Sequence, residues 1–223
     1  MLFRSLRFYS PLDVFDSVGA LDLEPDERPG IDAVNLNFSP QAFGGLNVVA
    51  APGETDEESS GGVKLYKTIS TYDAAIIAAT VRKDQIYGFL FDGYLKGAGF
   101  RGELTHTLKD DHRTFFRAAV GLDYNFNDKL YALVEYFYNE GHDDSDSAVL
   151  TSSYRRAQEV LSYNRHLSSL WLKYSLTPLW DLNQYVIYDW DGQSVVVNPE
   201  LNYDLTRNTD LRLGAQLFFG PAL

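Results

Sequence analysis

The four histidines, His106, His112, His142 and His166, are the side chains best suited by type to move a proton near neutral pH. A hydrolase built on one of them needs a serine or threonine nucleophile held beside it. His106 lies between Thr105 and Thr107, but no serine sits in a nucleophile elbow and no Ser and His pairing follows from the spacing. The sequence therefore predicts no catalytic residue. Acidic side chains are denser: Glu54, Asp56, Glu57 and Glu58 form one cluster, and His142, Asp143, Asp144 and Asp146 form another. Oxygen-rich clusters can take up calcium, or magnesium that bridges to lipopolysaccharide. Neither has the spacing of a defined calcium loop, so both read as solvated charge runs, with no metal and no cofactor expected. Phosphate loops, zinc spacings and dinucleotide fingerprints are missing, since Gly97, Gly99 and Gly102 follow no such pattern.

Composition narrows the elements that could position any site. The 223 residues are 45% hydrophobic, enough for one sizeable β domain or two small ones, and cysteine is absent, so no disulfide or thiol chemistry is available. The 31 acidic residues outnumber 19 basic ones, a net charge of -12 that repels a nucleic-acid backbone. No run approaches the roughly 18 apolar residues of a membrane helix. A β-barrel is the other structure that satisfies every backbone group in lipid, and its strands escape hydropathy plots because they alternate.

That alternation recurs from Gly30 onward. In the segment 114–126, Phe116, Ala118, Val120, Leu122, Tyr124 and Phe126 fall on one face, with Arg117, Ala119, Gly121, Asp123 and Asn125 on the other. Ser168, Leu170, Leu172, Tyr174 and Leu176 similarly oppose Ser169, Trp171, Lys173 and Ser175. Near the end, Leu201, Tyr203 and Leu205 oppose Glu200, Asn202 and Asp204, and Leu211, Leu213, Ala215, Leu217 and Phe219 oppose Arg212, Gly214 and Gln216. A soluble sandwich also alternates, with its polar face outward. About twelve strands fit this template, near 31–38, 45–51, 63–70, 74–82, 86–95, 98–107, 114–126, 129–139, 166–177, 180–190, 194–205 and 210–219. The fold class expected is all-β, a transmembrane antiparallel up-and-down β-barrel.

Connections alternate in length, as in bacterial barrels with short periplasmic turns and longer outer loops. One set is short throughout: 39–44, 71–72, 96–97, 127–128, 178–179 and 206–209. The other contains the long ones, 52–62, 108–113 and 140–165, with tighter turns at 83–85 and 191–192. This parity expects a barrel incomplete at both ends, from a parent of roughly 14 strands or more. Residues 1–5 read as a sequencing-adapter remnant, 6–29 as a loop between barrel strands, and 30–223 as the partial barrel. The signal peptide required of an outer-membrane precursor is expected upstream.

On the expected inner faces lie Arg82, Asp92, Arg101, Glu103, Arg117, Asp123, Glu135, Lys173, Asp189, Glu200, Asp204 and Arg212. Charges of both signs there would set a field and a solute preference. They would equally serve as a salt-bridged network that hydrates a lumen. Residues 145–163 carry a helix-like stripe of Val149, Tyr154, Ala157, Val160 and Leu161 beside Arg155 and Arg156, which fits either a constriction loop or an exposed surface loop. Trp171, Trp180 and Trp190, with Tyr131, Tyr136, Tyr138, Tyr174, Tyr185 and Tyr188, suit aromatic girdles at two membrane interfaces.

The motif Tyr9-Ser10-Pro11-Leu12-Asp13-Val14-Phe15, followed by Glu27-Arg28-Pro29-Gly30-Ile31-Asp32-Ala33, resembles a stretch of large porin-like barrels related to alginate-export proteins. The segments 97–104 (GAGFRGEL), 121–124 (GLDY), 135–139 (EYFYN) and 213–220 (LGAQLFFG) are similar to later strands of that group. The resemblance implies a location in the bacterial outer membrane and a pore, and it transfers no residue-level site. The reading carried forward is a porin-like channel for small polar or saccharide solutes, facing outer-membrane lipid and lipopolysaccharide, with homo-oligomerisation left open. Its rivals are a soluble or lipid-holding β-barrel, with polar residues outside and an apolar interior, and an outer-membrane hydrolase.

Overall fold

The computed structural model describes residues 6–8, 10–12, 32–40, 44–55, 58–141, 164–206 and 208–221. They form a single antiparallel sheet in which each strand pairs with its neighbours in sequence, except that the last pairs with the eleventh, and no helix occurs among the described residues. The strands are β1 (Val34–Phe38), β2 (Gly45–Ala51), β3 (Ser60–Ile69), β4 (Tyr72–Val81), β5 (Asp84–Leu95), β6 (Ala98–Leu108), β7 (Thr114–Asn125), β8 (Leu130–Asn139), β9 (His166–Thr177), β10 (Trp180–Asp189), β11 (Ser194–Thr206), β12 (Thr209–Gly214) and β13 (Leu217–Phe219). Strands β1 and β12 are the edges of the ladder, and no pairing joins them among the described residues, so the sheet is not closed.

The expected twelve strands become thirteen for a local reason. Leu213 pairs with Leu201 and Leu217 with Val197, so β12 and β13 continue along β11 in one register. They part at Ala215 and Gln216, opposite Pro199. The Ala215 N–H donates to the Pro199 carbonyl at 3.1 Å, but proline has no N–H to return the bond.

Several turns are set by the twist of the strands. Arg82 and Lys83 have φ of 49° and 77°, and Lys96 and Gly97 have 52° and 88°. Positive φ at both loop residues is the geometry that lets a two-residue hairpin follow right-handed twist. At one end of the sheet the connections are residues 39–44, 70–71, 96–97, 126–129, 178–179 and 207–208. At the other they are 52–59, 82–83, 109–113, 140–165 and 190–193. The two longest connections, 52–59 and 140–165, lie at the end where the sequence places the long ones, although 39–44 at the other end is longer than 82–83, 109–113 and 190–193. Residues 142–163 lie outside the described residues, and with them the helix-like stretch 145–163 and the cluster of His142, Asp143, Asp144 and Asp146. Asp56 and Glu57 of the other acidic cluster also lie outside them.

Because paired residues share a face, the registers assign every strand residue to one of two sides. On one side lie Leu36, Leu46, Val63, Leu65, Ile76, Phe89, Leu104, Phe116, Val120, Leu122, Val134, Leu182 and Leu213, all exposed. Nothing in the described chain covers this face. The opposite face is covered in its middle by residues 6–8 and 10–12. Leu12 packs there with Val49, Ala75, Ile77, Ala79 and Leu90. Leu6 and Phe8 pack with Ala119, Leu133, Phe137, Leu167 and Ile187.

Candidate functional site on the polar face

Charge is partitioned between the two faces almost completely. Among the described strand residues, Lys67 is the only Asp, Glu, Lys or Arg on the bare face, and it lies next to the turn at Ser70 and Thr71. All other strand charges share the face that carries the N-terminal segment. Eleven of the twelve expected inner-face residues are on it: Asp92, Arg101, Glu103, Arg117, Asp123, Glu135, Lys173, Asp189, Glu200, Asp204 and Arg212. Arg82 is the exception. The pairing of Val81 with Asp84 leaves Arg82 and Lys83 as the two residues of the turn, so Arg82 belongs to no strand face.

Glu103 and Glu135 sit midway along β6 and β8 and are 3% and 2% exposed. Buried carboxylates are costly unless hydrogen bonds replace their hydration. Here the N-terminal segment supplies donors. Arg7 and Phe8 donate their backbone N–H groups to the two Glu135 oxygens at 2.7 and 2.8 Å. Leu6 N–H, Leu12 N–H and the Ser10 hydroxyl donate to Glu103 at 3.3, 3.2 and 2.5 Å. Two glycines make room: a Cβ on Gly88 would lie 2.3 Å from Leu12 Cδ2, and one on Gly121 2.8 Å from Leu6 Cδ2. The Arg7 guanidinium lies 3.8 Å from the Trp171 ring centroid and donates to the Tyr185 hydroxyl at 3.4 Å.

The flanking charges are paired in smaller groups. Arg101 donates to Asp123 at 2.6 Å and lies 3.8 Å from Asp92. Arg117 donates to Asn139 at 3.0 Å and stacks over Phe115. Lys173 meets Asp181 at 2.8 Å, with the Ser175 hydroxyl on the same carboxylate. Glu200 accepts from Asn202 at 2.9 Å and lies 3.9 Å from Arg212. Asp189 has a local task, accepting the N–H groups of Asp191 and Gly192 to close the turn after β10. Asp204 is exposed near the short-turn end of β11. In the 109–113 connection, hydrogen bonds from the Arg113 side chain and backbone hold the Asp111 carboxyl below the usual aspartate range.

The aromatic expectation needs correcting. Trp171, Tyr131 and Tyr185 are on the covered face, where Trp171 stacks near Tyr185 and meets Tyr131 edge-on. They pair in register with Lys173, Leu133 and Asn198, all on that side. Trp180, Trp190, Tyr136, Tyr138, Tyr174 and Tyr188 lie on the bare face, where aromatic side chains form two rows. Trp180, Tyr203, Tyr174 and Tyr124 lie toward the short-turn end, and Phe116, Tyr136, Tyr138, Tyr188 and Trp190 toward the other. Between them are aliphatic positions such as Val120, Leu122, Val134, Leu170 and Leu172.

His106 stacks on Phe116, 4.3 Å between ring centroids, on the apolar face. His166 Nδ1 is 2.6 Å from the Tyr136 hydroxyl. No group of three or more His, Cys, Asp or Glu side chains suited to a metal ion occurs among the described residues. No family model matches the chain, and no curated protein matches it significantly. What the arrangement offers chemically is a field of paired charges on one surface, with a clasped peptide segment at its centre.

Proposed function

We propose that this chain is part of the wall of a porin-like β-barrel in a Gram-negative outer membrane, passing small polar or saccharide solutes along its charged face. The observation that carries the reading is the partition of charge. A long antiparallel sheet that keeps every strand charge except Lys67 on one side, and exposes contiguous apolar side chains on the other, matches a wall between lipid and water. Monomeric soluble proteins rarely expose apolar patches beyond a few hundred Å². A soluble or lipid-holding barrel would put its polar side outward, the reverse of a reading in which the clasped segment lies inside.

Two further features support it. The aromatic rows at Phe116 and Tyr124 of β7 are eight residues apart, about 26 Å along a strand and about 20 Å in height at the tilt of outer-membrane barrels, somewhat less than their apolar band of about 25 Å. Strand edges left unpaired in lipid cost several kcal/mol per group, so the reading requires β1 and β12 to be joined, by each other or by further strands. The mechanism is selection by width and field. The family resemblance of the 9–15 and 27–33 motifs points the same way.

Single-channel recording of the intact protein in planar bilayers tests the proposal, with cation-to-anion selectivity taken on the same channels. Stable open steps are expected. Folded protein that inserts into lipid yet stays silent would refute the channel, leaving an outer-membrane enzyme or binding protein.

A further inference from the structure

The N-terminal segment is a built element rather than a stray end of chain. Leu6, Ser10, Pro11 and Leu12 are nearly fully buried, two glycines are spaced to receive Leu6 and Leu12, and two mid-strand carboxylates accept its polar hydrogens. Burying two carboxylates is unfavourable unless their hydrogen-bonding capacity is met. Glu103 and Glu135 therefore serve the segment, and with it seated they do not face solvent. What the segment shows to solvent is the exposed Arg7, spread over Trp171 and Tyr185.

Resting on the channel reading above, we propose that residues 6–8 and 10–12 are the constriction of the pore: a peg clasped by Glu103 and Glu135 at mid-height on the polar face. It narrows the path, takes the two carboxylates off the surface that solutes meet, and adds the one positive charge of Arg7 at the narrowest level. Field at a constriction weighs most on permeating ions, because the solute passes closest to the wall there. The peg thus shifts selectivity toward anions relative to the bare wall.

The test compares the intact protein with a variant lacking residues 6–12, both in planar bilayers. The deletion is expected to raise single-channel conductance about twofold or more and to move the reversal potential toward cation preference. Adding E103Q and E135Q to the deletion should keep the larger conductance and abolish the added cation preference. A variant that leaves the chain intact, E135Q, weakens the clasp and should flicker between the two conductance levels. The chain has no cysteine, so a disulfide between L12C and G88C can pin the peg in the E135Q background. Oxidation should then silence the flicker and reduction restore it. Equal conductance and selectivity in the intact and deleted proteins would overturn the peg while leaving the channel standing. Silence of every variant, with the protein folded in lipid, would overturn the channel reading and the peg with it.

Discussion

The two faces of β7 differ sharply, although their residues alternate one by one. Phe116, Val120, Leu122 and Tyr124 are exposed with nothing described above them, whereas Phe115, Arg117, Ala119 and Gly121 are buried beneath the N-terminal segment or their neighbours. A water-soluble sheet inverts this, hiding the large apolar side chains and solvating the charges. On the channel proposal, solvent identity rather than strand propensity accounts for the difference: a face that meets acyl chains needs no cover, and a face with charges needs partners or water.

Substitutions that violate each face separately sharpen the contrast. The largest effect is expected at the middle of the bare face. Leu170→Arg should cost about 2–4 kcal/mol in unfolding from lipid vesicles, as cations do at the bilayer midplane of barrels. If that face met water, the cost would stay within about 0.5 kcal/mol. Asn198→Arg, on the polar face of β11, should stay within about 0.5 kcal/mol in the same vesicles.

The clasp comes next. Glu135→Ala leaves the Arg7 and Phe8 N–H groups without their acceptors, and hydrogen bonds to charged groups contribute about 1.5–3 kcal/mol each, so a loss of about 2 kcal/mol is expected after relaxation of the segment. Urea unfolding in detergent measures it, and a change near zero would mean that the segment adds nothing to the fold. Smaller still is Lys173→Met. Its pair with Asp181 is about one-third exposed on each side, so the loss should fall below about 1 kcal/mol.

Much of this contrast was legible in the sequence. Strict alternation places eleven of the named charges on one face, because a period of two leaves a strand residue only two sides. Arg82 escaped because turn placement depends on cross-strand register, here Val81 with Asp84, which a single strand does not reveal. Residue type alone suggests a girdle position for Trp171, Tyr131 and Tyr185, whereas alternation puts Trp171 opposite Leu170 and Leu172, on the face where the register places it. The clasp of Glu103 and Glu135 is not legible in the sequence, since its donors are four backbone N–H groups and the Ser10 hydroxyl, 91 to 128 residues away. The available signal was the apolar set of Leu6, Phe8 and Leu12, together with Gly88 and Gly121 at mid-strand.

The smallest predicted effect lies outside both faces. Asp111 has its folded-state titration depressed by Arg113. Its contribution is present above the unfolded aspartate value and is lost as pH falls through the lower folded value. Order at the Arg113 amide, followed by hydrogen exchange, should therefore persist to below the usual aspartate range, and Asp111→Asn should remove that acid step. This titration leaves both faces unchanged, so a change in the sheet itself over that pH range would tie the loop to the wall.

The central claim, that one face of the sheet meets lipid, is tested most directly by spin labels on single cysteines placed in turn at residues 115–124 of the protein in lipid vesicles. The absence of native cysteine makes each label unique. The account predicts an accessibility of period two, with oxygen, which concentrates in acyl chains, reaching labels at positions 116, 118, 120, 122 and 124. A water-soluble nickel chelate should be excluded from those same positions. Labels at the even positions that respond to the chelate and not to oxygen would contradict it.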